Sequence, residues 1–108
     1  MVKRRELPSA ERLNELFSYE PETGVLRAKV TLANNRTTYR VGDEVGYSNG
    51  NGYLVVTVDK QLCFVHRVIW KLVTGEEPAA YLDHANRIKD DNRWANLREA
   101  TARQNAAN

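Results

Sequence analysis

Cys63 is the only cysteine among the 108 residues, so the chain can form no internal disulfide and no cysteine-based zinc knuckle. It stands in the apolar stretch Leu62-Cys63-Phe64-Val65 and reads as a buried structural thiol rather than a nucleophile. No apolar run approaches the ~20 residues that cross a bilayer. The basic start Met1-Val2-Lys3-Arg4-Arg5 is followed by polar residues, not by the apolar segment of a signal peptide. An intracellular, cytoplasmic protein with no membrane partner is the expectation. No internal repeat and no low-complexity segment occurs. Charge of one sign is also scarce: 16 Lys and Arg against 14 Asp and Glu leave a net +2, too little by itself to name a partner.

What is present describes an ordinary soluble domain, with 42% hydrophobic and 28% charged residues in a length that suits one compact unit. A chain of this size buries a modest core and can spare few apolar residues. Ser9 is a candidate N-cap, and Leu13, Leu16 and Phe17 follow at helical spacing, predicting a short helix over 10–18. Tyr19 to Gly24 reads as a turn, punctuated by Pro21 and Gly24. Val25 to Val30 alternates apolar residues with Arg27 and Lys29 and predicts a strand. Residues 31–42 read as a polar loop exposing Arg36 and Arg40, and Asp43 to Tyr47 as a short strand. After the turn Ser48 to Gly52 comes Tyr53 to Val58, rich in β-branched residues. Asp59-Lys60-Gln61 returns it into Leu62 to Val65 as a hairpin.

The N-terminal part, residues 1–60, is thus expected to be a small antiparallel sheet of three or four strands with one helix. In the remainder, 61–108, residues 66–74 carry apolar groups at helical spacing, stopped by Gly75 with Pro78 beyond. Ala80 to His84 predicts a strand, 85–95 a polar loop anchored by Trp94, and Asn96-Leu97-Arg98 the returning strand. Thr101 and Gln104 form a capping-box pattern that starts a helix near 102. The sequence ends about two turns later, a length that is marginal for a helix standing alone. The fold class is α+β.

The densest chemistry lies between Asp83 and Asn105. This stretch holds Asp83, His84, Asn86, Asn92, Asn96 and Asn105, together with Arg87, Lys89, Arg93, Arg98 and Arg103. Histidine is the side chain whose proton exchange falls near neutrality, so it serves as a base. Aspartate and asparagine oxygens suit a hard cation that keeps waters and meets phosphate oxygens. The same donors are poor for structural zinc. Arginine is suited to bidentate phosphate contact, although mixed charges of this kind are equally at home on a solvated surface. The same two readings apply to Arg27, Lys29, Arg36 and Arg40. Trp70 is expected in the core. His66, at the strand–helix junction, reads either as a satisfied structural histidine or as a contact to DNA or to the site from behind.

Asp83-His84 is followed twelve residues later by Asn96, and nine after that by Asn105. With Asp83-His84-x-Asn86, Asp91-Asn92-Arg93, Asn96-Leu97-Arg98, Gln104-Asn105, His66-Arg67-x-x-Trp70 and Gly52-Tyr53, this spacing resembles the HNH endonuclease family. It is most similar to the phage-type group of free-standing and homing enzymes, and the likeness covers about residues 10–108. The resemblance implies a C-terminal ββα-metal motif and a Mg²⁺- or Mn²⁺-dependent endonuclease that nicks double-stranded DNA as a monomer, in the cytoplasm of a bacterial or phage-infected cell. It implies Asp83 and Asn105 on the metal and His84 as the base. Asn96 would brace the loop and orient His84 by hydrogen bonding, while Asn92 would play a structural part in the loop. Arg87, Lys89, Arg93, Arg98 and Arg103, with Arg27 and Lys29, are the implied DNA contacts. Asp83 and His84 are neighbours on a strand, where side chains alternate in direction, so both can serve one phosphate only if the strand ends there. A fold of this family that binds DNA without cutting it, or a loop with a purely structural role, are the alternatives.

Overall fold

The computed structural model describes residues 6–33, 37–78 and 81–100. Helix α1 (Ala10–Leu16) is capped by Ser9, whose hydroxyl oxygen accepts from Arg12 N at 3.1 Å. Leu13 and Leu16 are its buried stripe. The helix is shorter than the expected 10–18, because Phe17 and Ser18 extend into strand β1 (Phe17–Glu20). β1 pairs antiparallel with β2 (Val25–Ala28) in the register Phe17↔Ala28 to Glu20↔Val25. Burying Phe17 with Leu26 and Ala28 favours this arrangement over a longer helix. Tyr19 and Glu20, expected in a turn, are therefore strand residues, and the turn occupies 21–24.

The stretch expected to be loop contains a small pair, β3 (Leu32–Ala33) with β4 (Thr38–Tyr39), formed around buried Tyr39. Arg40 is exposed, as expected, and Arg36 lies outside the described residues. The short strand expected over 43–47 is reduced to an isolated bridge between Glu44 and Arg27 and to β5 (Tyr47–Ser48). β5 pairs with β6 (Leu54–Val58), and β6 with β7 (Gln61–Phe64). Asp59 and Lys60 make the two-residue turn of this hairpin with φ of 47° and 68°. Two left-handed residues match the natural twist of the flanking strands.

The single N-terminal sheet of three or four strands is therefore not what forms. Among the described residues the N-terminal part holds three small antiparallel sheets, β1–β2, β3–β4 and β5–β6–β7. Its strands are two to five residues long and separated by polar turns, which interrupts a continuous ladder.

Helix α2 (Val65–Thr74) buries Val65, Val68 and Ile69 completely or nearly so, and packs on α1, β6 and β7. Burial of each such side chain is worth about 1.5–3 kcal/mol. Gly75, at φ 79°, ends it by giving its N–H to Lys71 O at 2.8 Å. β8 (Tyr81–His84) then pairs antiparallel with β9 (Leu97–Ala100), with Asp83 opposite Arg98 and His84 opposite Leu97. A one-turn 3₁₀ segment, Trp94–Asn96, leads into β9. Trp94 lies 5.0 Å from the ring of Trp70, which anchors the long loop to α2 as expected. The helix expected near 102, with Thr101, Arg103, Gln104 and Asn105, lies outside the described residues. The fold is α+β, and the described residues supply a β8–β9 hairpin where the ββα pattern calls for one. Among them no helix is long and apolar enough to cross a membrane.

Candidate active site

The loop between β8 and β9 has no regular ladder of its own, so its backbone groups need other partners. Asparagine side chains provide them. Asn86 Oδ1 accepts from Ile88 N at 2.9 Å, closing a local turn, while its amide donates to Asp91 Oδ2 at 2.7 Å. Asn96 Nδ2 donates to Asn86 Oδ1 at 2.9 Å and to Asp91 O at 2.8 Å, and Asn96 Oδ1 accepts from Asn86 N at 3.0 Å. The Asn96 backbone carbonyl also accepts from Ala85 N at 2.8 Å. Asn96 is thus the knot that closes the loop. Arg87, at φ 65°, takes the left-handed turn position and gives its N–H to His84 O.

His84 closes β8 and is 3% exposed. The strand does end there, as shared service to one phosphate requires. The ring's partner is not the residue expected. Nε2 lies 2.8 Å from Asn92 Oδ1, whereas all the side-chain bonds of Asn96 go to Asn86 and Asp91. The two asparagines sit in different local backbone: Asn96 lies in the 3₁₀ turn, and Asn92 lies before it, outside regular structure. Asn92, 2% exposed, is therefore more than a structural loop residue. Because a carbonyl oxygen only accepts, this contact fixes the proton on Nε2 and leaves the lone pair on Nδ1. Nδ1 has no partner among the described residues.

A second layer of rings surrounds the imidazole. His66, buried at the start of α2, stands 4.9 Å from it, and Tyr53 stands 6.0 Å away while stacking on His66 at 5.6 Å and 25°. Lys89 lies against this layer, with Nζ 5.1 Å above the Tyr53 ring and donating to Asn51 O at 3.1 Å. In the sequence Tyr53 reads as the start of a strand and as part of the Gly52-Tyr53 word, neither of which brings it to the histidines.

Asp83 is half-buried beside His84, and its Oδ2 accepts from Arg98 Nη2 at 3.1 Å across the β8–β9 register. Arg93 is engaged by Asp91 at 2.7 Å, which holds the Asp91 carboxyl well below the usual carboxylate range, with a smaller contribution from the Asn86 amide. The exposed Arg87 side chain has no partner among the described residues. Of the more distant candidates, Arg27 binds Glu20 and Gly42 O, and Lys29 donates to Asn14 O at 2.7 Å. Both brace the N-terminal part internally. Arg103 and Asn105 lie outside the described residues.

Among the described residues no three His, Cys, Asp or Glu side chains cluster as metal ligands. The oxygen of Asp83, with that of an asparagine, fits a hard cation that retains much of its water, and not a tetrahedral zinc.

A carboxylate and a buried, tautomer-locked imidazole thus meet at the end of one strand of a hairpin, with a helix behind. Residues 63–107 match the model of a family described as HNH endonuclease. This segment is similar to the HNH endonuclease family. No curated protein and no solved structure matches the chain. The matched segment begins in β7 and takes in α2, β8, the asparagine loop and β9. HNH nucleases use a divalent metal and bind DNA. α1, β1 to β6 and the turn after β6 precede the matched residues.

Proposed function

We propose that the chain is a metal-dependent endonuclease that nicks double-stranded DNA. The observation that carries this reading is His84, held through Nε2 by Asn92 and with Nδ1 left as the proton acceptor, next to Asp83 at a strand end. Phosphodiester hydrolysis needs a base for water and compensation for charge on the phosphate. His84 Nδ1 takes the proton from the attacking water. Asn92 keeps the ring from presenting a proton instead, and accepts from Nε2–H as the imidazolium forms. Asp83, with Asn105, would hold the divalent ion. Such an ion, Mg²⁺ or Mn²⁺, supplies charge stabilisation at the phosphate oxygens when bound. Arg98, already on Asp83, orients that carboxylate. Arg87, Lys89 and Arg93, exposed on the loop after His84, are cations for the DNA backbone, a role that Arg103 would share; such contacts position a duplex rather than read it.

One base implies one strand cut per encounter, so a monomer converts supercoiled plasmid to the open-circular form. The reading places the protein among phage or mobile-element enzymes working in the cytoplasm. The test is plasmid nicking with Mg²⁺, Mn²⁺ or chelator. Open circles that require metal and vanish in His84→Ala support the reading. Retarded but uncut plasmid, with or without metal, would identify a DNA-binding protein that does not cleave.

A further inference from the structure

The β1–β2 hairpin lies outside the matched segment, yet beyond the shared core three of its residues meet the backbone of residues 92–94. Tyr19 Oη donates to the backbone carbonyl of Asn92. Trp94 N donates to Pro21 O at 3.0 Å. Gly24, at φ 81°, comes so close that a Cβ there would stand 2.5 Å from Arg93 N and 2.6 Å from Asn92 C. Burial, and next the charge of Asp91, push the Tyr19 hydroxyl up to about 12, so it remains a donor at any working pH. The residue gripped in this way is the one whose side chain holds His84 Nε2.

We propose that Tyr19 is a positioning residue for the His84 base: through its bond to the Asn92 carbonyl, and with Gly24 permitting the close approach, it sets where Asn92 Oδ1 meets the ring. This rests on the reading of His84 as the base. A catalytic ring must be held within about 0.5 Å of its productive place, by neighbours that are themselves locked. Asn92 lies outside regular secondary structure, just before the 3₁₀ turn, and has no ladder to fix it, so the hairpin supplies that fixation. The sequence before Cys63 is then part of the catalytic apparatus and not a separate DNA-reading layer alone.

The test compares the parent, Tyr19→Phe, Asn92→Ala and the double variant by two measurements. The first is the nitrogen spectrum of the His84 ring at one fixed pH, without metal or DNA. The parent should show the Nε2–H tautomer alone, Asn92→Ala a mixture, Tyr19→Phe a smaller admixture, and the double variant the same mixture as Asn92→Ala. The second is nicking, where Tyr19→Phe should lower kcat about tenfold with KM for plasmid unchanged, and should add nothing on the Asn92→Ala background. Gly24→Ala, which pushes on the same backbone, should reproduce the admixture. An unchanged tautomer ratio in Tyr19→Phe, or a loss that multiplies in full on Asn92→Ala, overturns the proposal. A parent that does not nick overturns the nuclease reading instead, and the ring spectra then decide the positioning role by themselves.

Discussion

Asn92 Oδ1 and His84 Nε2 lie 2.8 Å apart, eight residues apart in sequence and both almost wholly buried. The asparagine is the only side chain bonded to the imidazole among the described residues, so it decides which ring nitrogen carries the proton. Asn92→Ala should lower nicking kcat by about 10–100-fold, the usual cost of removing the group that orients a reactive histidine. Asn92→Asp retains an acceptor at the same place and should keep more activity than Asn92→Ala. Equal losses in the two variants would show that the acceptor does not matter.

Asn96 should behave differently, because its bonds close the loop and do not reach the ring. Asn96→Ala leaves Asn86 N and Asp91 O without partners in a partly buried place. A cost of about 1–3 kcal/mol is expected. Urea unfolding should show a lower midpoint with an unchanged slope. Residual activity measured well below the melting temperature should exceed that of Asn92→Ala. The two asparagines thereby separate into one that acts on stability and one that acts on turnover.

Much of this arrangement could be read from the sequence. The helix stop at Gly75, the hairpin turn after Val58, the Trp94 anchor and the strand ending at His84 all follow from the sequence, although Gln61, expected in that turn, is the first residue of β7. Long-range contacts are what local residue chemistry does not reveal. Tyr19 looked like part of a turn because Pro21 and Gly24 punctuate that stretch, but its hydroxyl reaches a backbone carbonyl 73 positions away. Asn92 and Asn96 are equally polar and lie in one loop; which of them faces the histidine depends on a single 3₁₀ turn that no periodicity reveals. The division of the N-terminal part into three small sheets is set by cross-strand packing, to which propensity along one strand is blind.

Cys63 offers a check on the core. Burial, then the charges of Glu77 and Asp59, push its thiol up to about 11, and its side chain packs between β7 and its neighbours at 4% exposure. Thiolate is the reactive form, so alkylation of the native protein near pH 8 should be far slower than that of the urea-unfolded chain. Native reactivity at pH 8 equal to the unfolded rate would mean that β7 is not packed as described.

Asp91 gives the site a dependence on acid. The Arg93 guanidinium, then the Asn86 amide, hold its carboxyl well below the usual carboxylate range. A carboxyl depressed in the folded state stabilises that state in full above its unfolded pKa of about 4, and the contribution is lost as pH falls through the folded value. Loop stability should therefore be flat from neutrality down to about pH 5 and decline below about pH 4. A carbon-detected titration should find the Asp91 carboxylate still ionised at about pH 4, where an unperturbed aspartate is half protonated. Arg93→Ala removes the largest cause, so it should raise the Asp91 titration toward the unfolded value and make the acid decline smaller. If the Asp91 midpoint is the same in Arg93→Ala as in the parent, the ion pair does not hold the loop in solution. Asn96 Nδ2 would then be left tying down an Asp91 backbone that its own side chain no longer secures.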